Sequence, residues 1–221
     1  EPGPEMVLGK EYGGDPAQLG AVHSVLRDLA THPATANHIA RKLAVHFVAD
    51  NPDPALVDHV ATRFWETDGN LLEVYAALLE HPSAWEPELR NVKPPFDFVA
   101  SSCRALAIRK PHLARMKPNN ISQTLITPLK MMGQDWEYPS GPDGWTEQDE
   151  AWITPQGLAA RIRWAMLAPR QLTRLLPAPE QFVETSLGDF ANGRVRFAAQ
   201  AAETQSEAIG LVLASPAFQR R

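Results

Sequence analysis

The strongest chemical candidates in this sequence are basic side chains in the stretch IARKLAVHFVAD, residues 39–50. At 100° per residue, Lys42 and His46 lie one turn apart beside an apolar helix face, and Arg41 points away from that edge. The predicted buried face consists of Ile39, Ala40, Leu43, Ala44 and Phe47. Because histidine titrates near neutrality, one interpretation is an anion-binding or proton-transfer edge. The alternative is that these long side chains cover the helix flank and pair with acidic groups on neighbouring elements.

Other reactive residue types form no recognisable catalytic or metal-binding pattern. Ser101, Ser102 and Cys103 fall within a predicted helix and lack the G-x-S-x-G turn of a nucleophile elbow. Cys103 shares an apolar face with Val99 and Leu106, which predicts an unreactive core thiol. The His residues contain neither H-E-x-x-H nor H-x-x-x-H spacing, so no metal site is predicted. No cofactor is predicted either, and catalytic residues stay unassigned.

A long segment, GQDWEYPSGPDGW followed by TEQDEAW, matches neither helical nor strand periodicity. This segment, which we call the aromatic loop, lies within residues 133–153 and contains Trp136, Tyr138, Trp145 and Trp152. Loops of this length are uncommon in compact domains, and ordered ones usually bind a partner or brace the fold. Leaving so much aromatic area in water would forgo several kcal/mol of burial. We therefore expect an ordered loop with at least two of its three tryptophans largely buried against helices.

Composition and charge exclude several classes of protein. The chain of 221 residues is 44% hydrophobic and 21% charged, which is enough for a sizeable core. Its 26 acidic and 21 basic residues are scattered, and without a basic block nucleic acid is not an expected partner. A single cysteine excludes an intrachain disulfide and a cysteine-based zinc site. No apolar run reaches the roughly 18 residues that cross a bilayer.

The start of the chain, EPGPEM, has neither an initiator Met nor a signal-peptide pattern. We interpret the sequence as a fragment whose upstream part would carry any export signal. The compartment, cytoplasmic or exported, is therefore left open by the sequence.

Proline marks the predicted helix starts. The chain has 20 prolines, and several follow a small polar residue just before an apolar periodic run. Asp15–Pro16, Asp53–Pro54, Thr154–Pro155 and Ser215–Pro216 each match an N-cap residue followed by Pro at the first helical position. Behind them, apolar spacings of three and four predict buried helix faces. Two of these faces consist of Val22, Val25, Leu26 and Leu29, and of Leu158, Ile162 and Ala165.

The predicted fold class is all-α: one irregular domain over residues 1–221 with eight to ten helices. An extended lead-in is expected over residues 1–14. Within it only MVLGKEYGG looks like a short strand or hairpin. Because this piece has no obvious strand partner in the chain, we expect it to pair with an upstream part.

Several stretches, taken together, resemble a known bacterial family. They are HPATANHIARKLAVHFVADNPDPALV, LLEVYAALLEHPSAW, VKPPFDFVASSCRAL, MMGQDWEYPSGPDGW with AWITPQGLAARIRWA, and LASPAFQRR. In this order they are similar to the C-terminal half of the domain-of-unknown-function family 1800 (DUF1800). The resemblance implies a mostly helical bacterial protein with a further helical half upstream, often encoded beside a sulfatase-like protein that carries an export signal. It implies no established activity, and the matching positions include Arg41, Lys42, His46, Lys93, Pro94, Gly133, Gln134, Gly144, Trp145 and Trp152.

Two function classes stay open at this point. The favoured one is a non-catalytic binding or assembly module whose contact surface is the aromatic loop. The other is a hydrolase-like enzyme that uses Lys42 and His46 in a cleft formed with the upstream half. A deep polar cleft containing His46 would favour the enzyme, whereas an exposed aromatic patch without convergent acids and bases would favour binding. In a third outcome the loop is wholly buried as a brace.

Three partners are expected from the sequence and the resemblance. They are the upstream half of the same protein, the sulfatase-like protein, and a second copy of the chain. The second copy would cover an apolar surface near residues 1–30, because monomeric proteins rarely expose large contiguous apolar patches.

Overall fold

The computed structural model describes residues 3–221 and shows two compact units, Glu1–Glu88 (unit 1) and Leu89–Arg221 (unit 2). Each unit has its own hydrophobic core, which is rich in alanine in unit 1 and in aromatic and branched side chains in unit 2. The expectation of one helical domain over residues 1–221 stays a prediction.

Unit 1 opens with a β-hairpin of β1 (Gly3–Val7) and β2 (Lys10–Gly14), paired antiparallel with Val7 opposite Lys10. The two turn residues, Leu8 and Gly9, have φ angles of 48° and 78°, as a tight two-residue hairpin turn requires. The hairpin reading of MVLGKEYGG is therefore confirmed. The expectation that this piece has no strand partner of its own is wrong, because β1 and β2 pair with each other. Its pairing with an upstream part stays a prediction.

The remaining elements of unit 1 are α1 (Leu19–Ala30), α2 (Pro33–Phe47), α3 (Pro54–Glu66), α4 (Leu71–Glu80) and a 3-10 turn at Pro82–Trp85. Helix α3 packs between α2 and α4. The shared core contains an alanine ridge on α2, formed by Ala36, Ala40 and Ala44. Because these side chains are small, α2 and α3 can pack closely.

The buried face of α2 is rotated from the predicted one. Ala40 and Ala44 are fully buried as predicted, but Phe47 is 62% exposed. The alanine ridge faces the core, so the larger Ile39 and Leu43 lie at its margin, only partly buried. The prediction that Phe47 belongs to the buried face is wrong.

Helix α1 contributes no buried residue to unit 1. The predicted buried face is exposed, with Val22 at 53% and Leu26 at 59%. One tie between α1 and the hairpin is the Asp28 carboxylate, which accepts hydrogen bonds from Lys10 Nζ and from Tyr12 Oη, the latter at 2.6 Å. The prediction of a buried α1 face is wrong for the part of the chain that the structure describes.

Unit 2 contains nine α-helical segments. They are α5 (Pro95–Ala105), α6 (Lys110–Arg115), α7 (Pro118–Ile121), α8 (Thr127–Met131), α9 (Pro155–Leu172), α10 (Pro179–Leu187), α11 (Gly193–Ala201), α12 (Gln205–Ala214) and α13 (Pro216–Gln219). A π-helical segment, Ser122–Ile126, joins α7 to α8. Short 3-10 turns lie at Asp149–Ala151 and Gly188–Phe190.

The longest helix, α9, packs against α12 in the core of unit 2. The close approach depends on Gly210, where a Cβ atom would lie only 3.0 Å from Met166 Cα. The predicted face of α9 is largely wrong, because Leu158 and Ile162 are 40% and 43% exposed while only Ala165 is buried. The buried face instead consists of Gly157, Arg161, Trp164, Ala165, Ala168, Pro169 and Leu172.

Residues near the two ends of unit 2 pair as a short antiparallel bridge between Val92 and Arg220. Lys93 N donates to Gln219 O at 2.8 Å, and Arg221 N donates to Asn91 O at 2.8 Å. Two segments about 130 residues apart along the chain are therefore held side by side.

Three of the four predicted helix starts are confirmed. Asp53, Thr154 and Ser215 cap α3, α9 and α13 through their side chains, each followed by Pro at the first helical position. The fourth, Asp15–Pro16, is wrong because α1 begins only at Leu19. The structure also shows an unpredicted type of cap: His32 Nδ1 accepts a hydrogen bond from Ala34 N at the start of α2.

The all-α prediction is confirmed. Among residues 3–221, nine helices have nine or more residues, and the hairpin contains the only strands longer than a single bridging residue. None of the helices in this range is long and apolar enough to cross a membrane.

Candidate functional site

The segment between α8 and α9 carries the aromatic loop and is fixed at both ends by hydrogen bonds to another segment. Near its start, Gln134 Oε1 accepts a hydrogen bond from Phe96 N at 2.7 Å. Near its end, Asp149 Oδ1 accepts one from Val92 N at 2.8 Å. Both donors flank the start of α5. The loop is therefore tied at two points to the region where α5 begins.

Three aromatic side chains on this loop and on α5 form what we call the aromatic surface: Phe96, Trp136 and Tyr138. The rings of Phe96 and Trp136 lie 5.2 Å apart between centroids and are tilted by 33°. Both stay accessible, at 43% and 41% exposure, and Tyr138 is 77% exposed. Such ring pairs attract each other beyond simple area burial. The pair is thus held in place while a large part of it faces solvent.

The other two loop tryptophans are less accessible. Trp152 is buried with 2% exposure, and Trp145 is half-buried. Trp136 does not join them, so the loop divides into a buried end and an exposed middle. The loop is therefore neither wholly buried as a brace nor wholly exposed.

The buried end of the loop is held by Arg161, which has 0% exposure. Its Nε donates to Trp152 O at 3.2 Å and its Nη2 donates to Lys93 O at 2.9 Å. Its guanidinium lies 5.4 Å from the centre of the Phe98 ring. Burial lowers the pKa of Arg161 to about 10, because the charged form is penalised away from water. We call these contacts the Arg161 anchor, which joins α9 to the loop and to the residues before α5.

The Arg161 anchor is chemically unusual because backbone carbonyls, rather than a carboxylate, satisfy the buried cation. Among residues 3–221, Arg161 has no acidic partner, and its Nη1 atom is buried without a hydrogen bond. Buried cations normally pair with carboxylates, since desolvation of a charge is expensive. Two backbone carbonyls, those of Trp152 and Lys93, and the Phe98 ring therefore hold the Arg161 guanidinium in place.

Lys93 adds a second constrained cation beside this anchor. Its Nζ donates to Phe218 O at 2.5 Å and lies 4.2 Å from the centre of the Phe218 ring. Burial lowers the pKa of Lys93 to about 8, an effect that Asp97 opposes and Arg221 reinforces. Asp97 and Arg221 are themselves paired at 2.5 Å. Lys93 is thus positioned on an aromatic face close to an ion pair.

The three candidate basic residues of α2 differ in exposure. Arg41 and Lys42 are exposed, and His46 is half-buried with its ring edge-on to Phe47 at 4.7 Å. Three cavities in the described residues are lined by the α2–α3 pair or by α10–α12, and none of the three is lined by Arg41, Lys42 or His46. The assignment of Arg41, Lys42, His46, Trp136, Tyr138, Trp145 and Trp152 to a binding site stays a prediction.

Two other groups have plain placements. Cys103 packs against the core of unit 2, and burial raises the pKa of its thiol to about 11. In the range 3–221, no three His, Cys, Asp or Glu side chains come close enough to hold a metal ion.

Sequence reasoning missed Arg161 and Phe96, and the two differ in whether a signal existed. Arg161 lies four residues after Gly157 and three before Trp164, so helical periodicity places it on their face. A charged residue on an apolar face is a visible signal of a buried polar contact. Phe96 follows two prolines at the start of α5, and only the tertiary hydrogen bond to Gln134 brings it to Trp136.

The fold and site define an all-α protein whose aromatic loop is fixed by hydrogen bonds near both of its ends. The chain belongs to DUF1800, a family of proteins of unknown function, whose model matches residues 1–220. A search among curated proteins finds no match, and neither does a search among solved structures. The family resemblance deduced from the sequence is confirmed.

Proposed function

We propose that this protein is a non-catalytic binding or assembly module that contacts a partner protein through the aromatic surface. The observation that carries the proposal is the Phe96–Trp136 pair, held 5.2 Å apart and still about two-fifths exposed. Aromatic side chains supply large contact area at low entropic cost, and they dominate many protein interfaces.

Preorganisation supports a binding role for this surface. The Gln134–Phe96 hydrogen bond and the Arg161 anchor fix the loop on either side of its exposed middle. A partner would therefore bind aromatic groups that are already positioned, which avoids much of the ordering cost of association. Beside the surface, Lys130 and Asp135 pair at 2.8 Å and largely neutralise each other. The three side chains that define the surface are all aromatic.

The enzymatic alternative, with Lys42 and His46 as working groups, has less support. Both residues lie on α2, and general acid–base work needs a reacting group held between converging side chains in a cleft. The three cavities described above are lined by other residues. The upstream half and the sulfatase-like protein implied by the family resemblance are the first partners to test.

The test uses a double variant that carries both Trp136→Ala and Tyr138→Ala. Its matched control is the single variant Phe197→Ala. Phe197 is 72% exposed on α11 and lies outside the aromatic surface. The unmodified protein and both variants are titrated by calorimetry with the sulfatase-like protein implied by the family resemblance. The double variant should bind at least about tenfold more weakly, which corresponds to about 1.4 kcal/mol.

Equal affinities of the double variant and the unmodified protein would contradict the proposal. So would an equal loss in Phe197→Ala, because that would reflect general surface hydrophobicity. Hydrolytic activity that disappears on His46→Ala would favour the enzymatic alternative.

A further inference from the structure

Three helical segments of unit 1 begin in the same way, with a capping side chain that is followed by proline. His32 caps α2, Asp53 caps α3, and His81 caps the 3-10 turn that follows α4. In each case the capping side chain accepts a hydrogen bond from the backbone N–H two residues further on. We call His32 and His81 the histidine caps. The Asp53 cap offers a comparison of the same geometry but different chemistry.

The histidine caps require a neutral imidazole ring. His32 Nδ1 lies 3.1 Å from Ala34 N, and His81 Nδ1 lies 3.3 Å from Ser83 N. Because a backbone N–H can only donate, Nδ1 must carry a lone pair, which leaves the proton of the neutral ring on Nε2. A protonated imidazole carries an N–H group at both positions and cannot accept a hydrogen bond. Protonation of either histidine therefore removes the acceptor on which its cap depends.

The Asp53 cap keeps its acceptor over the pH range in which histidine titrates. Asp53 Oδ1 accepts a hydrogen bond from Ala55 N at 2.9 Å, and Oδ2 accepts one from Ser83 Oγ at 2.9 Å. These two hydrogen bonds, the one from Ala55 first, hold the pKa of the Asp53 carboxyl below its ordinary value. Asp53 therefore stays ionised between about pH 5 and pH 8, where histidine side chains commonly change charge.

Charged and titratable groups around His81 come from α3 and α4. The His59 ring on α3 lies 5.6 Å from the His81 ring between centroids, so two protonated rings would repel each other. The Asp53 carboxylate attracts a positively charged His81. Glu80, the last residue of α4, is paired with Arg63 at 3.5 Å. Protonation of His81 therefore exchanges the hydrogen bond of the cap for charge interactions with His59 and Asp53.

His32 lies between the end of α1 and the start of α2. The last turn of α1 carries Arg27 and Asp28, and the Asp28 carboxylate is already bound to the hairpin. From α3, Asp58 and Glu66 line a cavity together with the start of α2, whose first turn has no acidic residue. The start of a helix is the positive end of its dipole, which disfavours a cation at the capping position. A protonated His32 would therefore lose its hydrogen bond and also be repelled by the helix end.

We propose that the histidine caps make unit 1 pH-sensitive, so that acidification through the range of histidine titration releases the first turn of α2 and the 3-10 turn after α4. Neutral imidazoles keep both caps closed, and protonated imidazoles open them, while Asp53 keeps the start of α3 closed. The first turn of α2 contains Ala36, which is 3% exposed in the core of unit 1, so its release loosens the packing of α2 on α3. The caps use none of the residues of the aromatic surface, so their test is independent of the proposed function.

The test measures hydrogen exchange of the backbone amides of Ala34 and Ser83 by NMR at pH 5 and at pH 8. Each of these amides follows a proline, so replacement of the capping histidine leaves the immediate neighbours of the amide unchanged. His32→Asn and His81→Asn keep a capping oxygen that accepts a hydrogen bond at both pH values. At pH 8 the exchange rates in the unmodified protein and in the variants should agree within about twofold. At pH 5 both amides should exchange about fivefold faster in the unmodified protein than in the matching variant, the factor expected for loss of one cap.

The internal control is the amide of Ala55, which the Asp53 cap protects. Its exchange rate should be the same in the unmodified protein and in the variants at each pH. The matched control substitution is His23→Asn, at an exposed position within α1, which should leave the exchange of Ala34 and Ser83 unchanged.

Two results would overturn the proposal. One is exchange of Ala34 and Ser83 at pH 5 that is as slow in the unmodified protein as in the asparagine variants. The other is an equal acceleration of Ala55 in the unmodified protein relative to the variants, because that would reflect a general loosening of unit 1. Circular dichroism at each pH verifies that every variant keeps its helix content.

Discussion

Helices α1 and α9 carry similar apolar periodicity, but only α9 is buried. In the described chain α1 buries no residue, although Val22 and Leu26 repeat at helical spacing. Helix α9 buries a face that includes the charged Arg161 beside Trp164. Apolar periodicity thus identifies a helix, whereas burial of a given face depends on which elements the fold packs against it.

The largest expected effect tests the buried side of this comparison with Arg161→Ala. The substitution leaves the carbonyls of Lys93 and Trp152 without their donor and opens space beside Phe98. We expect the free energy of unfolding to fall by about 2–5 kcal/mol. Urea unfolding, followed by circular dichroism, measures the change.

The control for this prediction lies two residues along the same helix. Arg163 is exposed on α9, and Arg163→Ala should change the free energy of unfolding by no more than about 0.5 kcal/mol. Similar values for Arg161→Ala and Arg163→Ala would mean that the Arg161 anchor does not stabilise unit 2.

A smaller effect concerns pH and Lys93, next to the same anchor. Its pKa is about 8 in the folded protein, against an ordinary value of 10.5. Between these pH values the unfolded chain binds more protons than the folded one, so the free energy of unfolding should rise with pH. Below about pH 8 Lys93 is protonated in both the folded and the unfolded state, so it should add no pH dependence to the free energy of unfolding.

Comparison of the unmodified protein with Lys93→Met isolates this contribution, because other titrating groups are common to both. The unmodified protein should gain on the order of 1 kcal/mol relative to the variant between pH 8 and pH 10.5, after allowance for solvent screening of a half-buried group. Chemical unfolding at several pH values provides the data. Parallel stability curves for the two proteins would show that Lys93 keeps an ordinary pKa.

The smallest effect tests the exposed side of the comparison with Leu26→Ser on α1. Leu26 is 59% exposed, so in dilute solution the free energy of unfolding should change by no more than about 0.5 kcal/mol. Val60→Ala, at a fully buried position on α3, should cost about 1–3 kcal/mol. Light scattering over a range of concentrations should show that Leu26→Ser weakens self-association. A strongly destabilised Leu26→Ser in dilute solution would mean that the α1 face is covered within the chain.

Local signals in the sequence accounted for much of the fold. Asp53, Thr154 and Ser215 mark helix starts because a capping side chain followed by proline acts within a few residues. The hairpin was visible for the same reason, since its turn at Leu8 and Gly9 is local. Faces were predicted less well, because the orientation of a helix depends on distant elements. Phe47 and Ile162, for example, are apolar residues that face solvent because packing against distant elements sets the orientation of their helices.

The candidate sites divide along the same line. The tryptophans of the loop were evident from composition, but the pairing of Trp136 with Phe96 needs a hydrogen bond across 38 residues of chain.

The bridge between Val92 and Arg220 has a consequence for protein synthesis. Closing a loop of roughly 130 residues costs only a few kcal/mol of chain entropy, but it cannot occur until both ends have left the ribosome. The carbonyl of Phe218, which accepts the Lys93 hydrogen bond, arrives equally late. At roughly 5–20 residues per second, the segment around Val92 therefore waits on the order of ten seconds before its partner at Arg220 has been synthesised. A stretch of slow codons placed just before residues 216–221 should lengthen the exposure of Lys93 to chaperones and proteases.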